Sequence, residues 1–267
     1  MRLTALYRYP VKSAQGELLE ASPVEPLGLA GDRRWLLVEE ASGRFLTQRT
    51  LPVIGQLSAL YNAAGGLDLC APGLPALHVA LPDADSDLRG VIIWKDTLRV
   101  PDAGDAAAEW VSALIGKPSR LVYVPEHRAR PLGVGDGEPD DRVAFADGFP
   151  LLLINQASVD DLSSRVGREM AMLRFRPNLV IDGAGAYAED GWKRLRIGNV
   201  DFRLASPCAR CIMTTINPTT HERDSDREPL NTLKGYRLRD GGIMLGQNLI
   251  PDGRGVVEVG MEVTVLE

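Results

Sequence analysis

Val200-Asp-Phe-Arg-Leu204 alternates apolar with polar side chains and runs almost directly into Ser206-Pro-Cys-Ala-Arg-Cys-Ile-Met-Thr-Thr-Ile-Asn-Pro218. The alternation has the period of a half-buried strand, so Val200 to Leu204 predicts a strand, followed by the cysteine segment. Downstream, Val256-Val-Glu-Val259 and Glu262-Val-Thr-Val-Leu266 alternate on either side of Gly260-Met261, the pattern of a terminal hairpin closing a barrel. Upstream, Leu3 to Tyr9, Trp35 to Glu39, and Val91-Ile-Ile-Trp94 with Thr97-Leu-Arg-Val100 around Lys95-Asp96 are short apolar runs between turn residues and predict further strands.

Helical signals are few. Asp105 is placed to cap a helix over Ala106 to Ile115, with Trp110/Leu114 and Val111/Ile115 one turn apart and Gly116 as the stop. A second helix over Ser158 to Met170 carries Val159, Leu162 and Val166 on one face. It lies between a buried-looking run, Phe149 to Ile154, and a strand, Asn178 to Ile181. Residues 125–141 hold Pro131, Gly133, Gly135, Gly137 and Pro139 among charges, with no hydrophobic period, and read as a loop or lid. The fold class expected is mainly β (α+β), divided into residues 1–120 and residues 125–266. No internal repeat or low-complexity tract interrupts it.

The chain has 267 residues, 45% hydrophobic and 25% charged, enough to bury a sizeable core. Its formal charge of -6 argues against a general nucleic-acid binder, which needs clustered Lys and Arg. The first residues lack the apolar core of a signal peptide, and no run approaches the ~20 apolar residues that span a bilayer. A cytoplasmic protein without a membrane partner, and a monomer, is the expectation.

Cys70, Cys208 and Cys211 are an odd number of cysteines without an export signal, which favours reduced thiols. The C-x-x-C spacing of Cys208 and Cys211 admits a redox dithiol, half of a zinc site, or one thiolate ligand. A thioredoxin-like dithiol calls for a following helix, whereas Ile212 to Ile216 is β-branched and ends at Asn217-Pro218. Zinc needs two further ligands, and Cys70, His78, His127 and His221 are scattered. Both cysteines could be small core residues, but Arg210 between them suits an inert strand poorly, since a guanidinium favours a thiolate and offers paired donors to an anion. One thiolate suffices where a cofactor brings the rest of the coordination sphere. Spacing leaves Cys208 and Cys211 equally eligible.

Eight stretches then occur in a recognisable order: Tyr9-Pro-Val-Lys-Ser13, Gly31-Asp-Arg-Arg-Trp35, Thr47-Gln-Arg49, Phe175-Arg-Pro-Asn178, Tyr187-Ala-Glu-Asp-Gly-Trp192, Pro207-Cys-Ala-Arg-Cys211, Glu228-Pro-Leu-Asn-Thr-Leu-Lys234 and Leu245-Gly-Gln247. In them the chain resembles the MOSC domain proteins with an N-terminal MOSC β-barrel region, the group of the mitochondrial amidoxime reducing component and its bacterial relatives. The resemblance implies a MOSC β-barrel with flanking helices plus an N-terminal β-rich domain whose first strand and Lys12-Ser13 reach the cofactor site. It also implies that Cys211 ligates the metal of a molybdenum cofactor (Mo-molybdopterin). Lys12, Ser13 and Arg33 are then expected at its phosphate end. Arg176, Asn178, Arg210 and the Asp147-Gly148-Phe149 loop, with Ala209 and Asn248, are expected around the pterin.

Catalytic roles fall by the same resemblance to Cys211, with Arg210 and Asp190 as neighbours that tune the site or handle protons. Read without it, Lys12 and Arg33 are ordinary solvated charges, and Arg176 before Pro177 flanks a strand on extended backbone. Asp190 is a turn former, and Tyr187 and Trp192 are packing residues. Mitochondrial members carry hydroxyl residues where this chain has Gly148, Phe149 and Ala209, so hydrogen bonds from those side chains do not transfer. The activity implied is reduction of N-hydroxylated or N-oxygenated compounds such as hydroxylaminopurines and amidoximes. Because the chain shows neither a targeting segment nor a cysteine-rich ferredoxin-like extension, an external ferredoxin-, flavin- or cytochrome-type donor protein is expected. The alternative is a molybdenum cofactor carrier or sulfur-carrier module without turnover of its own.

Overall fold

The computed structural model describes every residue except 86 and 134–136. Trp35–Glu39 shows why an apolar run becomes a strand here. Trp35, Leu36, Leu37 and Val38 are all fully buried. Trp35 and Leu37 face a core shared with the helix Asp105–Ile115, while Leu36 and Val38 face a second core with Val91, Ile93 and Phe145. A strand covered on both faces has no polar side to alternate with. Leu151–Asn155 repeats the device: Leu151 and Leu153 point into one core, Leu152 and Ile154 toward the helix Gln156–Val166.

The largest sheet runs in the order Glu17–Leu19, Arg2–Arg8, Leu179–Asp182, Leu151–Asn155, Gly242–Pro251, Val200–Ala209, Arg194–Ile197, Val263–Val265. Arg2 bridges Glu262, and the Val263 N–H donates to Met1 O at 3.0 Å. The strand Arg2–Arg8, second in that order, therefore meets the far end of the sheet, and Leu3, Leu6, Leu153, Leu195, Phe202 and Leu249 fill the interior of the resulting barrel. In the long strand Gly242–Pro251, Gly246 takes φ +78, where a Cβ would lie 2.7 Å from Leu153 O. Only glycine relieves both constraints. The fold is mainly β, as expected.

Several local expectations are corrected. The terminal hairpin does not pair with itself: Gly255–Glu258 pairs with Ala21–Glu25, and Val263–Val265 with Arg194–Ile197. Leu3 bonds both Gly260 and Met261 through its backbone, so the turn docks on the first strand and its arms splay into different sheets. Alternation specifies which face is buried but not the partner. Gly104, not Asp105, is the N-cap of the first helix, and the Asp105 carboxylate binds Arg120 at 2.8 Å. The second helix begins at Gln156, capped by the Asn155 side chain, and stops where Gly167 turns left-handed, short of Met170. A third helix, Leu230–Arg237, went unforeseen. The hairpin Leu88–Ile93/Asp96–Pro101 turns at Trp94-Lys95 rather than Lys95-Asp96.

The expected lid is partly anchored. Arg130–Pro131 pairs with Arg142–Val143, and Arg130 is buried; the part of the expected loop at 134–136, including Gly135, lies outside the described residues. Among the described residues no helix is long and apolar enough to cross a membrane.

Candidate cofactor site

A cleft of ≈ 250 Å³ opens where separate segments meet. It is bounded by the residues after the first strand, the loop before Leu151–Asn155, the turn between the 3-10 helix Met172–Phe175 and Leu179–Asp182, and the end of Val200–Ala209. All twelve residues expected around a cofactor line it: Lys12, Ser13, Arg33, Asp147, Gly148, Phe149, Arg176, Asn178, Ala209, Arg210, Cys211 and Asn248. Three of them, Ser13 (φ 71), Arg33 (φ 48) and Arg176 (φ 53), hold left-handed backbone without being glycine. Each such residue costs on the order of 1 kcal/mol and is retained where a side chain must point one way. The extended backbone expected for Arg176 before Pro177 is thereby overturned, since the turn closing Met172–Phe175 demands a left-handed residue at that position.

The wall is strongly basic. Lys12, Arg33, Arg49, Arg174, Arg176 and Arg210 face the cleft against one carboxylate, Asp147, although the whole chain carries -6. Lys12 is buried and donates to Phe145 O at 2.6 Å and to the Asp147 carboxylate. Burial pushes its ammonium down to about 8, against the pull of Asp147. Burial alone would raise the Asp147 carboxyl, but Lys12 and Arg49 outweigh it and hold it well below the usual range. Arg33 donates to Asp32 at 2.5 Å, to Asn178 Oδ1 at 3.0 Å and to Arg176 O at 3.1 Å. Asn178 is fully buried and ties Arg33 to the Leu152 N–H and Tyr7 O, so its amide chiefly positions its neighbours.

Arg176 lies 4.1 Å over the Tyr9 ring, donates from Nη1 to Ala14 O at 2.7 Å, and leaves Nη2 buried without a partner. Burial lowers its pKa to about 10. Arg210 donates to Cys208 Sγ at 2.9 Å and to Phe175 O at 2.6 Å, while its Nε is also buried and unpaired. A buried unpaired donor costs about 1–3 kcal/mol. These orphaned guanidinium groups, under a surplus of positive charge, fit a polyanionic ligand with phosphate, which accepts charge-assisted bonds. Cys211 is partly exposed to the same cleft, and among the described residues no three His, Cys, Asp or Glu side chains gather into a metal cage. A metal here would find its protein thiolates among Cys208 and Cys211 and depend on its cofactor for the other ligands.

Asp190 is the exception among the expected residues. It lies off the cleft, clamped by Arg237 at 2.7 and 2.9 Å, by Arg239 at 3.0 Å and by Gln247 at 3.0 Å. With its carboxylate committed to those three side chains, it supports the strand carrying Gln247 and does not line the cleft. Two functional candidates were missed. Arg49 donates to Asp147 at 2.6 Å and to Cys211 Sγ at 3.6 Å, and Arg174 lines the cleft while bound to Asp224 at 2.8 Å. The stretch Thr47-Gln-Arg49 was the available signal for Arg49. Arg130 supports the wall from behind, donating to Ala144 O at 3.1 Å and to the carbonyls of Ala146 and Asp147.

Comparison with known proteins fits this geometry. A MOSC N-terminal beta barrel domain matches residues 1–118, and a MOSC domain matches residues 140–264. The chain is 33% identical to Mitochondrial amidoxime-reducing component 1 of Danio rerio over 97% of this chain and 82% of that protein. It belongs to the MOSC family. This MOSC protein is also 32% identical to the Homo sapiens Mitochondrial amidoxime-reducing component 1, over 98% of its length and 82% of the relative. Its identity to the Molybdenum cofactor sulfurase of Oryza sativa subsp. japonica is 33% over 92% of this chain but only 32% of that protein.

Proposed function

We propose that this MOSC protein is a molybdenum-cofactor-dependent reductase of N-hydroxylated compounds, supplied with electrons by an external donor protein. The observation that carries the reading is convergence: a basic cleft with orphaned guanidinium donors opens beside two partly exposed thiols, Cys208, which accepts from Arg210 at 2.9 Å, and Cys211, which accepts from Arg49 at 3.6 Å. The amidoxime-reducing relatives, matched over nearly the whole chain, support the substrate class. When bound, the cofactor supplies the two-electron chemistry that cleaves an N–O bond.

The chain's own residues bind and orient. Lys12, Ser13 and Arg33 would hold the phosphate, Arg176 and Arg210 would accept negative charge with their free donors, and Cys211 would anchor the metal. Arg49 and Asp147 fix the approach to that thiol. The test is expression in a cofactor-competent host, metal and pterin analysis, then reduction of 6-hydroxylaminopurine and an amidoxime with dithionite-reduced viologen. Stoichiometric molybdenum and turnover are expected, both lost in Cys211→Ser. Absence of molybdenum, or retained turnover by a loaded Cys211→Ser protein, sinks the reading.

A further inference from the structure

The hairpin Leu88–Ile93/Asp96–Pro101 places Trp94 and Lys95 at its tip, because Ile93 is paired with Asp96. Trp94 adopts φ 53. Turns of this kind favour Asn, Asp or Gly, and a bulky residue with positive φ is an outlier. The indole does not fold back into a core either, since Trp94 keeps 45% of its surface exposed. Strain and a wet indole together are hard to explain as hairpin chemistry.

What the indole touches explains them better. Its ring packs at 4.9 Å and 58° against Phe45, and the Arg49 guanidinium lies 5.1 Å from its centroid. Arg49 in turn reaches Cys211 and Asp147, so one guanidinium separates the indole from the thiol. Both arms of the hairpin are tied to the cleft wall. The Phe45 N–H donates to Ile92 O at 3.0 Å, and Asp96 accepts from Arg130 at 3.0 Å, the same arginine that holds the carbonyls of Ala146 and Asp147. Trp94 is thus held directly against Arg49, which lines the cleft and is fixed in place by the Asp147 carboxylate.

We propose that Trp94 is a specificity-determining residue, an aromatic rim on which flat, π-conjugated N-hydroxylated substrates, hydroxylamino nucleobases above all, stack as they present their N–O group to the cleft. The proposal rests on the reductase reading above. Stacking of a base on an aromatic side chain is sequence-tolerant but depends on a planar π-face, so aliphatic hydroxylamines gain nothing from Trp94.

The experiment compares cofactor-loaded wild type, Trp94→Ala and Trp94→Phe with 6-hydroxylaminopurine and N-methylhydroxylamine. Trp94→Ala is expected to raise KM for the purine roughly ten-fold, with kcat and the KM values for N-methylhydroxylamine and for the viologen donor unchanged, and Trp94→Phe to restore most of the loss. Adenine, which has no N–O bond, should quench tryptophan emission of the loaded wild type and lose that effect in Trp94→Ala. An unchanged purine KM, an equal rise for both substrates, or a change confined to the donor overturns the proposal. If wild type reduces neither substrate, the reductase reading has failed, and adenine quenching alone then decides whether Trp94 stacks planar bases.

Discussion

Arg49 bridges the Asp147 carboxylate at 2.6 Å and the Cys211 thiol at 3.6 Å, so the cysteine and the loop before Leu151–Asn155 are held by one guanidinium. Replacing it with methionine removes both bonds but leaves the thiol. A charge-assisted bond of this type contributes about 1.5–3 kcal/mol, so Arg49→Met should lower kcat/KM by roughly ten-fold or more at unchanged molybdenum content. Steady-state kinetics normalised to metal analysis checks it; a loss fully explained by missing metal would assign Arg49 to cofactor retention instead.

Lys12 gives a pH signature. Burial lowers its pKa from 10.5 to about 8, so between those values the unfolded chain holds a proton that the folded chain has released. Stability then rises with pH across that window, and the full penalty of the buried cation is present below it. Cofactor-free wild type should therefore gain thermal stability relative to Lys12→Met as pH is raised from about 8 to about 10. Asp147 stays ionised throughout, so its lost partner adds only a constant offset. A pH-independent difference would show that Lys12 is not a desolvated cation.

Arg176 separates binding from folding. Its Nη2 is buried without a partner and burial lowers its pKa to about 10, so in the absence of an anion it is a burden. Arg176→Met should leave the melting temperature of cofactor-free protein unchanged or higher while molybdenum retained through gel filtration falls. A clear loss of stability with undiminished metal would make Arg176 a folding residue only.

The opposite outcome is expected at Asp190. Removing it leaves Arg237, only 3% exposed, as a buried cation without its carboxylate, and breaking such a pair costs about 3–5 kcal/mol. Asp190→Ala should show that loss in urea unfolding, whereas turnover per bound molybdenum remains at the wild-type level. Turnover abolished in folded, loaded protein would restore a catalytic role.

Much of the molecule was legible because burial writes itself into local pattern. Trp35 to Glu39 reads as a strand since both faces are covered, and Gly116 marks a helix end since a left-handed residue is needed there. The failures share one cause, that local pattern carries no information about partners. The alternation at Val256–Val259 and Val263–Leu266 was real, but its arms pair with Ala21–Glu25 and Arg194–Ile197, far away in sequence. Asp190 looked like a free turn carboxylate until Arg237 and Gln247 folded onto it. Arg49 was hidden for the complementary reason: nothing near it in sequence announces a thiol 162 positions away. Similarly, the rule that keeps residues before proline extended was outweighed at Arg176 by the turn that aims its side chain.

The bridge between Arg2 and Glu262 has a consequence for biosynthesis. The first strand can be sealed into its barrel only after nearly the entire chain has emerged from the ribosome, and contacts of such long sequence separation form slowly. Lys12 and Ser13 hang from that strand, while Cys211 arrives close to the other end. A chain stalled before Cys211 therefore lacks one wall of the cleft, whose lining runs from Lys12 to Asn248.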